Sequence, residues 1–149
     1  MSAGGAAEYV RANEESRARL RALVERLDRA QLTRTAFGGW TVAAVLAHLA
    51  FWDRFNVTRW RARLGGAQLQ ALGVLDDLIN DAAFPTWNAL APDVAARDAL
   101  ASAEEGDAFV AALAPEITSP WLAEGRPRSL YRSEHRTEHL DDIERALAR

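Results

Sequence analysis

Between Thr41 and Leu64 the chain carries apolar side chains around most of a helical circumference. Val42, Val45, Leu46 and Leu49 follow the spacing of one helix face, Trp60 continues it, and Ala44, Phe51, Trp52 and Phe55 widen it sideways. A helix with so wide an apolar arc belongs between neighbours rather than at a rim. This stretch therefore predicts a helical bundle, and the rest of the chain supplies partners. A first helix is expected from about Ala6 to Arg29, with Leu20, Leu23, Val24 and Leu27 as its apolar stripe. Phe37-Gly38-Gly39-Trp40 breaks the chain, and Thr41 is positioned to cap the second helix.

Gly65-Gly66 ends that helix. The region from Ala67 to Pro92 reads as a long connection with a short helical piece around Leu72 to Ile79, followed by Phe84-Pro85-Thr86-Trp87. A third helix is expected from about Val94 to Leu113, where Ser102 and Glu105 have the spacing of a capping box that would split it in two. Pro115, Pro120 and Pro127 read as punctuation of a last loop before a fourth helix, about Ser129 to Leu147. No strand-like alternation is evident. The expected fold is all-α, a four-helix bundle with a long connection between helices two and three.

At 149 residues the chain reads as a single domain over 1–149, with enough length to bury a core without cross-links. It has no cysteine, which excludes disulfides, thiolate metal ligands and cysteine nucleophiles. All 18 basic residues are arginine, so a catalytic or Schiff-base lysine is excluded as well. The net charge of −3 gives no electrostatic footprint for nucleic acid. Met1 to Arg17 has no charged segment followed by an apolar run, and no stretch approaches the roughly 18 apolar residues of a membrane span. The expectation is a soluble, cytoplasmic protein without membrane or nucleic-acid partners.

Chemistry concentrates in the three histidines, His48, His135 and His139. The last two form a His-x-x-x-His pair, and residues four apart share a helix face. His48 sits mid-way along the second helix, one turn before Trp52 and on the flank of the apolar arc. All three border apolar faces, and in a bundle two helices can bring them to one divalent ion with further positions open. The competing reading is a set of separately satisfied or half-exposed histidines.

The stretch from Gly39 to Trp52, with Gly-Trp-Thr-Val opening the helix and His48 followed by Leu49, resembles the start of helix two in the DinB/YfiT superfamily of metal-dependent proteins. The stretch His135-Arg136-Thr137-Glu138-His139-Leu140-Asp141-Asp142-Ile143 resembles that superfamily's last-helix motif, and Asp77-Leu78-Ile79-Asn80 is a more distant echo of mycothiol-linked relatives. The resemblance spans nearly the whole chain. It implies a four-helix bundle holding zinc, nickel or manganese on His48, His135 and His139, often as a homodimer. Some relatives transfer low-molecular-weight thiols, some isomerise maleylpyruvate, and one branch is linked to DNA-damage responses. Position 142 is Asp where many members carry Gln or Glu.

A bound ion would lower the pKa of a coordinated water or activate a thiol cosubstrate, and with no Cys in the chain such a sulfur must come from outside. Asp142, three residues past His139, is placed to accept a ring N–H, orient a water or take a proton; an ordinary solvated or Arg-paired carboxylate is the alternative. Trp52 is expected to wall the pocket. Arg132, one turn before His135, is placed to hold an anionic substrate or to make a surface ion pair. Asp53 points away from His48, which favours a buried pairing with arginine. Core packing is the expected role of most of the five tryptophans. Two functional classes follow: a metal-dependent hydrolase or thiol transferase acting on a small molecule, and a non-catalytic metal- or ligand-binding bundle in a stress response.

Overall fold

The computed structural model describes residues 3–149. Four long helices form the bundle: α1 (Ala3–Arg26), α3 (Val42–Leu64), α5 (Pro92–Ala111) and α7 (Arg132–Leu147). Shorter elements join them: α2 (Arg29–Leu32), β1 (Thr35–Phe37), β2 (Trp40–Thr41), α4 (Leu75–Ala89) and α6 (Pro115–Leu122). The expected all-α bundle is therefore present. As anticipated for the apolar second helix, α3 is central: it packs along α5 and also touches α4 and α7, while α1 closes the bundle against α5 and α7.

Local chemistry sets the element starts. Asp28 and Gln31 form a reciprocal capping box on α2, each side chain accepting from the other's backbone N–H at 2.8 and 2.9 Å. Thr41 caps α3 as the sequence predicts, its Oγ1 accepting from the Ala44 N–H at 3.0 Å. Gly66, with φ +96°, turns the chain away from the other end of α3.

Four expectations need correction. The Phe37–Trp40 break is a small antiparallel hairpin, β1 with β2, turning on Gly38 at φ +52°. It escapes a periodicity argument because two strands of three and two residues have no room to alternate. The connection after α3 holds a 15-residue helix, α4, that runs through Pro85. One lost backbone bond there is outweighed by seating Trp87 in the core and Phe84 against Trp40, ring centres 4.8 Å apart. Ser102 does not split the third helix: α5 is continuous and Ser102 is buried within it, capping nothing. Pro115 and Pro120 likewise sit in α6, with Pro115 in the first turn, where its missing N–H costs no helical bond.

The interior has two apolar clusters. The larger joins Leu20 and Leu23 of α1, residues Val42 to Leu49 of α3, Trp87, the alanines of α5, and Leu140 and Ile143 of α7. The smaller gathers Tyr9, Trp60, Val110, Leu122, Leu130 and Tyr131. In addition to these, the interior holds a network of buried charges. Asp53 of α3 accepts from Arg132 Nε at 2.9 Å and Arg136 Nη2 at 3.3 Å; Asp107 of α5 accepts from Arg136 and from Arg17 of α1. Arg136 is 2% exposed and also reaches Ser16 and the Asn13 carbonyl. The expectation that Asp53 pairs with arginine rather than with the histidines holds.

Candidate metal centre

α3 carries His48 and α7 carries His135 and His139, and the packing of the two helices brings all three rings together. Their centroids stand 4.7–4.9 Å apart in every pairing. One nitrogen from each lies within 4.8 Å of the others. Nε2 of His48 and Nε2 of His135 face each other at 3.0 Å. Two nitrogens each about 2.0–2.1 Å from one ion stand roughly 2.9 Å apart at a right angle and roughly 3.3 Å apart at the tetrahedral angle, so the observed separation suits shared ligation.

The surroundings hold the imidazoles neutral. Burial, with His139 close by, pushes His48 down to about 3 from its ordinary 6.5. Burial, then His139, His48 and Arg132, drives His135 well below the usual histidine range. Burial lowers His139 as well, against the opposing pull of Asp142 and Glu138. Neutral imidazole is the form that ligates a metal. Nδ1 of His48 and Nδ1 of His139 are also buried without a hydrogen-bond partner. Buried polar atoms without partners are rare in folded proteins and ask for an explanation.

The sequence reads Trp52 as a wall of the pocket, and Trp40, expected to pack in the core, lines the site beside it. Trp40 meets the His48 ring edge-on at 5.5 Å, Trp87 at 5.2 Å and Trp52 at 6.4 Å. Trp52 donates its indole N–H to Asn80 of α4 at 2.8 Å, which makes the α4 connection part of the site's scaffold. Trp87 and Trp121 were expected in loops; they lie on α4 and α6, the first buried in the core and the second packed on Trp60. Phe37, from the hairpin, stacks on His139 at 6.5 Å.

The histidines open into a cavity of about 780 Å³, within the range of small-molecule sites. α3 contributes Trp52, Phe55, Asn56, Arg59 and Arg63 to its wall, and α7 contributes Arg132, His135 and His139.

A family model described as the DinB superfamily matches residues 12–145. The chain belongs to the DinB superfamily. No curated protein and no solved structure matches it.

In this DinB-superfamily chain Asp142 stands behind His139, its Oδ2 3.4 Å from Nδ1 without the alignment of a hydrogen bond, and its other oxygen takes Arg145 at 3.1 Å. It is not on the cavity wall. Arg132 is on the wall, but the ion pair expected at the surface is instead buried: Nε is bound to Asp53 and Nη1 to the Arg128 carbonyl. Glu138 is exposed and pairs with Arg128. Sequence reasoning missed Arg136 and the pair Arg59 and Arg63. Arg136 was detectable as a charge on the apolar stripe of Leu140 and Ile143. Arg59 and Arg63 were detectable as like charges one turn apart on the His48 side of α3.

Proposed function

We propose that the chain is a divalent-metal-dependent protein acting on a small molecule, as a hydrolase or a low-molecular-weight thiol transferase. One observation carries this reading: three neutral imidazoles from two helices, one buried and two half-buried, bring one nitrogen each within 4.8 Å of the others at the wall of a ligand-sized cavity. A structural metal site is normally closed by four protein ligands, whereas a three-ligand site keeps positions for substrate. Three imidazole donors suit zinc or nickel.

The chemistry gained when an ion is held there is Lewis-acid polarisation of a bound substrate. The chain's own residues prepare the ground. Trp40, Trp52 and Trp87 fence His48 and keep bulk water from its ring. Asp142 stands 3.4 Å from Nδ1 of His139 and is the carboxylate placed to orient that ring. With no Cys and no Lys, the nucleophile comes from outside, as water or as a thiol cosubstrate.

The test is metal stoichiometry by elemental analysis after dialysis against zinc and against nickel. About one ion per chain is expected for the native protein and none for His48→Ala with its helical circular dichroism intact. A folded native protein that retains no ion overturns the proposal.

A further inference from the structure

Arg59 and Arg63 are the basic residues of the cavity wall that lack a carboxylate. Arg128 is paired with Glu138 and Arg132 with Asp53, whereas neither Arg59 nor Arg63 makes an ion pair among the described residues. Two carboxylates, Asp76 and Asp77, also line the cavity, and neither is bound to these guanidinium groups. Like charges one turn apart on a helix repel each other. Burial and the charge of Arg59 both act against the Arg63 cation.

Both groups are nevertheless held in place. Arg63 lies over the rings of Trp60 and Trp121, its Cζ 5.1 and 4.8 Å from their centres. Arg59 lies over Phe55 at 5.9 Å and gives one N–H to the Gln70 carbonyl at 2.7 Å. Stacking fixes the plane of a guanidinium and leaves its edge free to donate. At that edge Nη1 of Arg63 is buried with no partner, and so is the Ser129 hydroxyl, another wall group. Ser129 is joined to the same tryptophan, since its carbonyl accepts the Trp60 indole N–H at 2.9 Å. A guanidinium nitrogen and a hydroxyl without partners, on the same wall as a second anchored guanidinium, describe the negative image of an anion.

The distance from the histidines follows from the helix. Arg59 and Arg63 come eleven and fifteen residues after His48. They fall within about 60° of it around the axis and roughly 16 and 22 Å along it. The wall also carries the apolar side chains Trp52, Phe55, Leu69 and Leu72, with Asn56 among them on α3. We infer that the cavity takes an elongated small molecule whose carboxylate or phosphate end is held by Arg59, Arg63 and Ser129, whose apolar body lies along α3, and whose reactive end meets the three histidines. The reactive end rests on the metal-dependent reading above; the anion end stands without it.

The test uses the full chain stripped of metal with EDTA and two fluorescent probes, 11-(dansylamino)undecanoate and its uncharged methyl ester. The carboxylate should bind at least about tenfold more tightly than the ester. Arg63→Gln and Arg59→Gln should each cost the carboxylate about tenfold and leave the ester unchanged, and Arg63→Lys should recover part of the loss. If Arg63→Gln loses its helical circular dichroism, Arg59→Gln decides. Equal binding of the two probes, no binding of either, or a folded glutamine variant with undiminished preference for the carboxylate overturns the inference. Zinc stoichiometry is measured on the same preparations. Charge preference without zinc binding would sink the metal reading alone, and zinc binding without charge preference would sink this one alone.

Discussion

Two polar clusters are buried along α7, and neighbouring residues belong to different ones: His135 to the imidazole cluster, Arg136 to the network of Asp53, Asp107 and Arg17. They are built on opposite rules. In the arginine network nearly every donor has an acceptor; Arg136 alone makes five hydrogen bonds to Asn13, Ser16, Asp53 and Asp107. In the imidazole cluster two ring nitrogens have none. Burial of a charge is tolerated when partners surround it, and a broken set is costly. The first cluster therefore serves the fold, tying α1, α3, α5 and α7 into one arrangement. The second leaves ring nitrogens unpaired and brings one nitrogen of each histidine close enough to hold a metal ion.

The largest effect should come from breaking the satisfied cluster. Asp53→Ala leaves Arg132 and Arg136 buried without their shared carboxylate, and a loss of about 3–5 kcal/mol of unfolding free energy is expected in a urea titration. A loss under 1 kcal/mol would mean that the network contributes little to the fold. The unsatisfied cluster should behave in the reverse way. Zinc at about a hundred times its dissociation constant should stabilise the native protein by about 2.7 kcal/mol. His135→Ala should abolish that gain while changing the metal-free stability by less than Asp53→Ala does. Differential scanning fluorimetry with and without zinc reads both quantities.

The smallest effect is a pH slope. The three imidazoles are held below 6.5 in the fold, so between pH 6.5 and the folded values the unfolded chain binds more protons. Stability of the metal-free protein should fall as pH drops below 6.5, and for His48 the loss continues toward about 3. Each imidazole should contribute up to about 1.4 kcal/mol per pH unit to that slope. The charged groups flanking the cluster oppose one another: Arg128 and Arg132 act against protonation, while Asp142 and Glu138 favour it. Melting midpoints from pH 7 to 5 should decline more steeply for the native chain than for His48→Ala. Equal slopes would show that burial of these rings does not govern the acid limb.

What was readable in the sequence follows from the range of the interactions involved. The Thr41 cap spans three residues, and the His135–His139 pair one helical turn, so spacing alone revealed them. His48 could be joined to that pair because the chain holds only three histidines and their flanks matched a known pattern. The hairpin at Thr35–Thr41 is too short to show a period. The helices around Pro85 and Pro120 were hidden because a proline is read as a stop, whereas tertiary seating of Trp87, Trp121 and Leu122 decides locally. The partners of Arg132 and Arg136 lie 79 and 83 residues away in Asp53, beyond any local rule. Arg132 therefore reads as a ligand-holding residue, and Arg63 gives no local signal although no carboxylate among the described residues pairs with it.

The aromatic fence has one more consequence. Trp40, Trp52 and Trp87 stand within 6.4 Å of the His48 ring centre, and Trp60 and Trp121, edge-on to each other, flank Arg63 some four helical turns away. Each terminus of the cavity thus has its own intrinsic fluorophores. A paramagnetic ion at the imidazoles would quench the near group first, and a guest seated on Arg63 would change the emission of the far one. Single-tryptophan variants would turn the protein into a two-point gauge of which terminus fills, and in what order.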